Sequence, residues 1–202
     1  MIAIVDYKIG NLQSVANAFE ALGAEHCVTN EARDLRMADK IVLPGVGAFG
    51  EGMKNLGELK LLDTLREEVI LKKKPFLGIC LGMQILADRS YEHGCHQGLG
   101  WIPGEVCLIE AGELALPHMG WNDIEVLNPS PILENIGSGS DFYFVHSYCL
   151  RAADRSHVSA SCVYGQEVAA VVSKENIFGV QFHPEKSQKA GKILMENFAK
   201  LS

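Results

Sequence analysis

The sequence predicts an α/β fold: an open, mostly parallel sheet with helices on both faces and an antiparallel β extension. Two observations lead to this fold class. In the first half of the chain, short apolar runs alternate with segments of helical periodicity, which is typical of a parallel sheet covered by helices. In the second half, short β-rich runs are separated by Gly and Pro, which is typical of antiparallel strands.

The elements of the first half follow from their apolar patterns. Residues 11–22 carry apolar side chains at helical spacing and stop at Gly23, which predicts a helix. Residues 59–71 predict a second helix for the same reason. The predicted strands are residues 1–5, 41–43 and 75–80.

The second half is predicted to contain mainly strands. The β-rich runs are residues 105–109, 142–145, 168–172 and 177–182. A final helix is expected from Pro184 to about Leu201, since proline is tolerated at the first helical position. No repeat, low-complexity tract or long linker divides the chain, so we expect a single domain over residues 1–202.

Composition limits the classes of function. The 202 residues are 48% hydrophobic and 21% charged, which is ordinary for a soluble globular protein. The net charge of −7 argues against a general nucleic-acid or acidic-membrane surface. No run has the length of a membrane helix, and Asp6 ends the first apolar run too early for a signal peptide. We expect a cytoplasmic protein whose six cysteines, none in a CxxC pair, are mostly free buried thiols.

A glycine-rich loop follows the second predicted strand. Gly45, Gly47 and Gly50 have the spacing of a dinucleotide-binding loop, which is weak evidence without its context. A dinucleotide fold places an acid about 20 residues later, at the end of the next strand. Glu67 and Glu68 lie at that distance but inside a helical run. NAD binding is therefore not expected, and the loop is either a tight turn or part of another active site.

The segment Gly78-Ile79-Cys80-Leu81-Gly82 ends a predicted strand and precedes a helix-like run. It is the cysteine form of a nucleophile elbow, a sharp turn whose flanking positions need residues without bulk. A thiol at a helix N-terminus is favoured as thiolate, and the N–H of Leu81 can donate to an oxyanion. The alternative is a buried core cysteine between two packing glycines.

A cysteine nucleophile needs a base and an orienting group. Of the seven histidines, His183 follows a strand-like run and precedes Pro184 and Glu185. After the rigid proline turn, the carboxylate can reach the imidazole and fix its tautomer. The alternative is a surface His-Pro turn.

Residues 78–84 and 179–185 together resemble the class I glutamine amidotransferase family. Residues 6–12, 43–49, 118–122 and 144–148 resemble one branch of it, the glutaminase subunits of imidazole glycerol phosphate synthases of histidine biosynthesis. The resemblance implies hydrolysis of L-glutamine through a thioester on Cys80, with His183 as base and Glu185 as its orienting acid. No cofactor is implied.

The resemblance also implies roles for other residues. Backbone N–H groups of Val46 or Gly45 and of Leu81 would form the oxyanion hole. The candidates for holding glutamine are Gly47, Gln84, Glu92, His146, Ser147 and Tyr148. Glu92 would pair with the α-ammonium of the substrate, or else it is a solvated loop charge. Residues 146–148 are otherwise an ordinary strand end.

A partner is implied because free ammonia is mostly ammonium at neutral pH and a poor nucleophile. The resemblance implies a separate cyclase subunit, a (β/α)8 barrel, in a heterodimer. It would use ammonia on a ribulose-linked aminoimidazole carboxamide nucleotide, giving imidazole glycerol phosphate and aminoimidazole carboxamide ribotide. The predicted interface residues are Asn11, Met119, Trp121 and Lys186. Burial of Trp121 in the core is the alternative.

Other functions stay open from the sequence. One is a class I amidotransferase subunit for anthranilate, carbamoyl phosphate or pyridoxal phosphate synthesis. Another is a non-enzymatic module of the same fold that binds a partner or senses oxidation through Cys80. His93, Cys95 and His96 are close in sequence, but no second ligand pair accompanies them, so no metal site is expected.

Overall fold

The computed structural model describes residues 1–201. The strands of the first half are β1 (Ile2–Val5), β2 (His26–Thr29), β3 (Lys40–Gly45), β4 (Phe76–Cys80), β5 (Arg89–Ser90) and β6 (His96–Gln97). Those of the second half are β7 (Gly104–Leu108), β8 (His118–Val126), β9 (Ser140–His146), β10 (Tyr148–Ala152), β11 (Val158–Tyr164), β12 (Gln166–Lys174) and β13 (Ile177–Val180). The helices are α1 (Leu12–Glu20), α2 (Ala32–Met37), α3 (Phe49–Glu58), α4 (Leu62–Leu65), α5 (Leu81–Gln84) and α6 (Gln188–Lys200).

The large sheet has nine strands in the order β2-β1-β3-β4-β13-β12-β11-β8-β9. Its first five strands are parallel, and β12, β11, β8 and β9 continue it in antiparallel fashion. A second sheet has the order β10-β7-β5-β6. The predicted fold class, a mostly parallel sheet with an antiparallel extension, is confirmed.

Helices cover both faces of the parallel strands, and β1 shows why its sequence is continuously apolar. Ile2 and Ile4 pack into the cluster that contains the apolar faces of α1 and α6. Ala3 and Val5 point to the opposite face and pack into the cluster that contains residues of α2, α3 and α4. Because successive side chains of a strand alternate between faces, a strand covered on both faces needs apolar residues throughout.

The predicted helix over residues 59–71 is correct in type, but it begins later, at Leu62, and its geometry is not uniform. It is divided into α4 and a π-helical segment, Arg66–Leu71. The helix α3 before it is missing from the prediction, since Gly50, Gly52 and Gly57 lower its helix propensity. The short elements β2 and α2 are also missing, because each buries only one residue fully and so has a weak apolar pattern.

The final helix begins later than predicted. Pro184 starts a 3-10 turn, Pro184–Lys186, and α6 starts at Gln188. The side chain of Ser187 donates a 2.6 Å hydrogen bond to the carbonyl of His183, and Gln188 has a φ of +48°, so the backbone is not helical throughout.

Within residues 1–201, no helix is long and apolar enough to cross a membrane.

Strands β8, β10 and β11 were not predicted either. The nine residues of β8 are mostly exposed or half-buried, because β8 lies in the antiparallel extension near the edge of the sheet. Its sequence therefore lacks the continuous apolar run that marks the parallel strands.

Candidate active site

Cys80 is the last residue of β4, and α5 begins directly after it. Its backbone has φ +54° and ψ −107°, a strained conformation for a residue with a side chain. The two flanking glycines permit this turn. A Cβ on Gly82 would overlap the carbonyl oxygen of Leu43, and a Cβ on Gly78 would overlap the carbonyl of Gly82. The Gly-x-Cys-x-Gly spacing is thus required by close backbone packing around the cysteine.

The Cys80 side chain is buried and has two polar neighbours besides His183. The Nε2 atom of Gln181 lies 3.8 Å from its sulfur, and the carbonyl oxygen of Val145 lies 4.0 Å away. All six cysteines are free, and two others, Cys149 and Cys162, are buried. Burial raises the pKa of Cys149 to about 11 and that of Cys162 to about 12, so these two thiols stay protonated at neutral pH.

His183 and Glu185 form a buried pair. The Nδ1 atom of His183 is 2.8 Å from Oε1 of Glu185, and the two side chains are 3% and 1% exposed. A carboxylate only accepts, so Nδ1 carries a proton and Nε2 of the neutral imidazole keeps its lone pair. The Nε2 atom has no hydrogen-bond partner within ordinary distance limits. Burial works against the charged imidazole, but interactions with Cys80 and Glu185 outweigh it and raise the pKa of His183 to about 9.

The turn that carries His183 is held from the neighbouring β9. The backbone N–H of His183 donates to the carbonyl of Tyr143 at 2.9 Å. The N–H of Tyr143 donates in turn to the Ser187 hydroxyl at 3.0 Å. These two bonds fix both ends of the His183-Pro184-Glu185 turn, so it is not a free surface turn.

A cavity of about 690 Å³ opens beside Cys80. All six residues predicted to hold glutamine line it, together with Val46 and Leu81 from the predicted oxyanion hole. His183 and Glu185 are not among the lining residues; both side chains are buried, and His183 interacts with Cys80. The remaining wall is formed by Ala48, His93, Leu108, Leu116, Pro117 and Val145.

Hydrogen bonds within the protein occupy part of the side chains of two cavity residues, Gln84 and Glu92. Gln84 uses Nε2 to donate to the carbonyl of Tyr148 at 2.9 Å and to Oε1 of Gln181 at 3.0 Å, so its own oxygen is left for a ligand. Oε2 of Glu92 accepts from the backbone N–H of Phe49 at 2.7 Å. This bond ties the half-buried Glu92 to the start of α3, so it is not a freely solvated loop charge.

His146 faces the cavity, but both of its ring nitrogens are occupied. Nδ1 is 2.8 Å from the carbonyl of Tyr148, and Nε2 is 3.0 Å from Nδ1 of His118. The structure therefore does not favour a ring nitrogen of His146 as a contact to a ligand. Burial lowers the pKa of both histidines to about 4, so both rings are neutral at physiological pH.

The predicted oxyanion residues lie around Cys80 because β3 and β4 are paired in parallel. In this register Gly45 is directly opposite Cys80. Val46 and Gly47 follow at the carboxyl end of β3, and Leu81 follows Cys80. Gly47 has a φ of +103°, a conformation that glycine adopts at little cost. The role of these N–H groups stays a prediction.

The structure places the two acids considered for a dinucleotide site within a helical segment. Glu67 and Glu68 lie in the π-helical segment, and Glu68 is buried and paired with Lys72 and Lys74 at 2.7 Å each. It is thus not free to bind a ribose. In residues 1–201, no group of three or more His, Cys, Asp or Glu side chains could hold a metal ion.

The predicted interface residues lie at the surface. Met119 is 61% exposed and Trp121 is 50% exposed, so the alternative of a core tryptophan is wrong. Trp121 meets the Tyr143 ring edge-on at 6.1 Å, and Nζ of Lys186 lies 5.7 Å from the centre of that ring. Asn11 is exposed at the start of α1, where its side chain accepts from the N–H of Ser14.

Two polar residues near the site were not predicted. Gln181 is fully buried beside Cys80, and His118 is buried against His146. The signal for Gln181 is a lone amide within the apolar segment 177–182, since buried polar groups need specific partners. The partner itself is about a hundred residues away and has no local signal.

A strained cysteine at a strand–helix turn that lines a cavity and interacts with a buried His–Glu pair is a site for cysteine-dependent acyl transfer. Residues 3–201 match the family model described as Glutamine amidotransferase class-I, and the chain belongs to this family.

Curated relatives match the chain over its whole length. It is 52% identical over 202 residues to "Imidazole glycerol phosphate synthase subunit HisH 1" of Campylobacter jejuni subsp. jejuni serotype O:23/36, with 100% of both chains covered. It is 50% identical to the HisH subunit of Aquifex aeolicus, with 96% of this chain and 94% of the relative covered. It is 45% identical to the HisH 2 subunit of Pseudomonas aeruginosa, with 100% of both covered.

Solved structures support the fold. A crystal structure titled glutamine amidotransferase has a TM-score of 0.76 at 20% identity, with 99% of both chains covered. A structure of PurLQS from Thermotoga maritima has a TM-score of 0.75 at 21% identity, with 98% of this chain and 96% of that chain covered.

Proposed function

We propose that this chain is the glutaminase subunit of an imidazole glycerol phosphate synthase in histidine biosynthesis. It hydrolyses L-glutamine to glutamate and ammonia and passes the ammonia to a cyclase subunit. The observation that carries this proposal is the strained Cys80, which lines the cavity and interacts with His183 of the buried His183–Glu185 pair. Full-length identity of 52% to a relative named as such a subunit supports the pathway.

In the first half of the reaction, the sulfur of Cys80 attacks the side-chain amide carbon of glutamine. With its pKa of about 9, His183 is an imidazolium at neutral pH and holds on Nε2 the proton that the thiol gives up, while Nδ1 stays bonded to Glu185. The amide oxygen becomes an oxyanion next to Leu81 and the loop after Gly45, whose N–H groups stabilise it. Removing one donor of this kind typically costs roughly 10²–10³ in turnover.

Collapse of the tetrahedral intermediate breaks the C–N bond. His183 returns its proton to the departing nitrogen, so ammonia leaves and a thioester remains on Cys80. A water then attacks the thioester carbon while His183 accepts its proton. The C–S bond breaks, the sulfur takes the electron pair, and glutamate is released. Glu185 stabilises the imidazolium in each half-reaction.

The cavity residues can hold the amino-acid end of glutamine. The free oxygen of the Gln84 amide accepts a hydrogen bond, and the Glu92 carboxylate suits an α-ammonium. Ser147, Tyr148 and Gly47 complete the wall near Cys80. We assign His146 to shaping this wall rather than to a direct polar contact, because both ring nitrogens are occupied.

The partner is proposed to be a (β/α)8-barrel cyclase that forms a heterodimer with this chain. It uses ammonia on the ribulose-linked aminoimidazole carboxamide nucleotide, giving imidazole glycerol phosphate and aminoimidazole carboxamide ribotide. The surface formed by Met119, Trp121 and Lys186, with Asn11 on the neighbouring α1, is the proposed interface. Its exposed Trp and Met are residue types that often anchor interfaces.

The test is glutamate release from L-glutamine by the wild type and by Cys80→Ala. Each is assayed alone, with the cyclase subunit, and with the cyclase plus its nucleotide. We expect release that requires Cys80 and rises with partner and nucleotide. Cys95→Ala, which removes an exposed thiol, is the matched control and should keep full activity. Glutamate release that continues in Cys80→Ala would reject the mechanism. Glutamate release that requires Cys80 but does not change when the cyclase is added would reject the pathway.

Trp121→Ala tests the interface. The change removes a half-exposed ring, so we expect little loss of stability. Affinity for the cyclase should fall about tenfold or more, because truncation of a buried interface tryptophan typically costs over 1 kcal/mol. Titration calorimetry measures this. Leu71→Ala, another exposed apolar residue, is the control, and unchanged affinity in Trp121→Ala would contradict the assignment.

A further inference from the structure

We propose that Gln181 is a catalytic residue that donates a hydrogen bond from its side-chain amide to the sulfur of Cys80 and so favours the reactive thiolate. The inference rests on the proposed function and adds a residue to its site. Gln181 is fully buried, and its Nε2 atom lies 3.8 Å from the Cys80 sulfur. A buried amide needs partners for its hydrogen-bonding groups, and the Cys80 sulfur is the partner of the Gln181 Nε2 group.

The direction of the Gln181 amide follows from its neighbours. The Nε2 group of Gln84 donates to the backbone carbonyl of Tyr148, which can only accept. The same Nε2 group lies 3.0 Å from Gln181, so the atom of Gln181 that faces it must be the acceptor, Oε1. The opposite end of the Gln181 amide is then the NH2 group, and this end faces the sulfur. A backbone carbonyl thus determines, through Gln84, that Cys80 receives a donor.

A second series of hydrogen bonds reaches the same carbonyl of Tyr148 from the surface. Asn122 donates to the carbonyl of Val163 at 3.0 Å, which fixes its Nδ2 as a donor toward Nε2 of His118 at 3.2 Å. His118 must then carry its proton on Nδ1 and donate it to Nε2 of His146. His146 in turn carries its proton on Nδ1 and donates it to the carbonyl oxygen of Tyr148. The direction required at each step is consistent with Gln84 as a donor. Tyr148 is thereby held by two donors.

Two titratable groups, His183 and the fully buried Tyr7, interact with Cys80 and are unchanged in every variant compared below. The other two neighbours of the Cys80 sulfur have opposite preferences. The carbonyl of Val145, at 4.0 Å, can accept only from the protonated thiol and so favours S–H. The N–H of Gln181 can donate to a thiolate and favours S⁻. Gln181 also assists the second half of the reaction, because the sulfur regains its negative charge when the C–S bond of the thioester breaks. Gln181 transfers no proton in either step.

Gln84 acts differently from Gln181. It lines the cavity and does not contact the sulfur, so it is a positioning residue for the Gln181 amide as well as part of the cavity wall. Gln181 does not line the cavity. Replacing Gln181 is therefore expected to lower kcat while leaving the KM for glutamine nearly unchanged.

The test measures the alkylation rate of Cys80 by iodoacetamide from pH 5 to 10 in the full-length chain, followed by mass spectrometry of the Cys80 peptide. Only the thiolate reacts, so the rate reports the thiolate fraction without glutamine turnover. In Gln181→Met we expect the pH midpoint to rise by about one unit or more, and alkylation at neutral pH to slow about tenfold, as for loss of a hydrogen bond to a charged group.

Two further variants make the result specific. Gln181→Leu keeps an apolar side chain of similar size in this buried position but has no N–H to donate to the sulfur, so its midpoint should rise to about the same extent. It also keeps the test valid if Gln181→Met does not fold. Gln166→Met is the matched control, because Nε2 of Gln166 lies 3.3 Å from the sulfur of Cys149, outside the site. It should leave the Cys80 profile unchanged.

The outcomes separate this inference from the proposed function. Folded Gln181 variants with the wild-type midpoint and kcat would overturn the role of Gln181 alone. A wild-type Cys80 that reacts no faster than the exposed Cys95 would overturn the nucleophile itself, and the inference with it. An upward shift in both Gln181 variants, with a normal Gln166→Met profile, would establish the hydrogen bond.

Discussion

Two regions of the molecule contain buried histidines whose pKa values move in opposite directions. In the His183–Glu185 turn, burial disfavours the imidazolium, but Cys80 and Glu185 outweigh it and the pKa rises to about 9. In the His118–His146 pair, burial is opposed only in part, by the hydrogen bond from His146 to the Tyr148 carbonyl, and the pKa of each ring falls to about 4. All three imidazoles are almost inaccessible to solvent. Burial alone therefore does not set the protonation state of a histidine at neutral pH. The charge of the group to which the imidazole is hydrogen-bonded decides it.

The difference in partners gives the regions different roles. A carboxylate beside an imidazole stabilises the imidazolium, which is what a general base needs after it has taken a proton. A second neutral imidazole gives direction to hydrogen bonds without carrying charge. The first region therefore suits proton transfer, and the second suits the fixed positioning of the backbone at Tyr148.

The two regions also stabilise the fold in opposite pH ranges. The pKa of His183 is raised above the unfolded value of about 6.5, so its contribution is complete below pH 6.5 and is lost as the pH rises through about 9. The pKa values of His118 and His146 are lowered, so protons bind more readily to the unfolded chain. Their contribution is present above pH 6.5 and is lost as the pH falls through about 4.

The largest expected effect is that of Glu185→Gln on activity. The amide cannot stabilise the His183 imidazolium and can hold the wrong tautomer, so glutamate release should fall about 10⁴-fold, as for the acid of a serine-protease triad. The assay is glutamate release in the presence of the cyclase. Glu167→Gln removes an exposed carboxylate paired with Arg155 and serves as control. A loss below tenfold would remove the contrast between the two histidine regions.

The next effect is on the titration of His183 itself. NMR of histidine-labelled protein should give a pKa for His183 of about 9 in the wild type. In Glu185→Gln and in Cys80→Ala the pKa should fall, because each change removes one interaction that opposes burial. His146 should keep its low pKa in both variants and so provides an internal reference. A wild-type His183 that titrates near pH 4, like His146, would contradict the comparison.

The smallest effect is that of His118→Phe on stability. Phenylalanine keeps an aromatic ring between Phe144 and Tyr164 but leaves Nε2 of His146 without its donor. An unpaired buried acceptor costs about 1–3 kcal/mol, so the free energy of unfolding in urea should fall by that amount at pH 7.

The loss of unfolding free energy in His118→Phe should be smaller at pH 5. At that pH the unfolded wild type binds a proton at His118 that the folded wild type does not, so the wild type is itself less stable. His26→Phe is the control, since His26 is only partly buried and bonds locally to Ala24. Equal losses at both pH values would show that His118 is not held neutral by the fold.

Short-range patterns in the sequence account for much of the architecture. The alternation of apolar and helical segments correctly predicts the parallel strands β1, β3 and β4, because strands covered on both faces need continuous apolar residues. The prediction fails for α3, whose three glycines hide the helix, and for β8, whose surface position removes the apolar run. In both cases contacts with the rest of the fold outweigh local propensity.

At the candidate site, the residues suggested by sequence are those whose chemistry depends on near neighbours along the chain. Gly78 and Gly82 flank Cys80 because the turn is local, and Glu185 reaches His183 across one proline. The sequence alone therefore determined a strained cysteine, a paired histidine and the family to which they belong. No local pattern could show that Gln181 donates to Cys80, that His146 is occupied by His118, or that Trp121 is exposed. Only the tertiary structure decided these points, because each depends on elements far apart in the chain that meet through sheet register and packing.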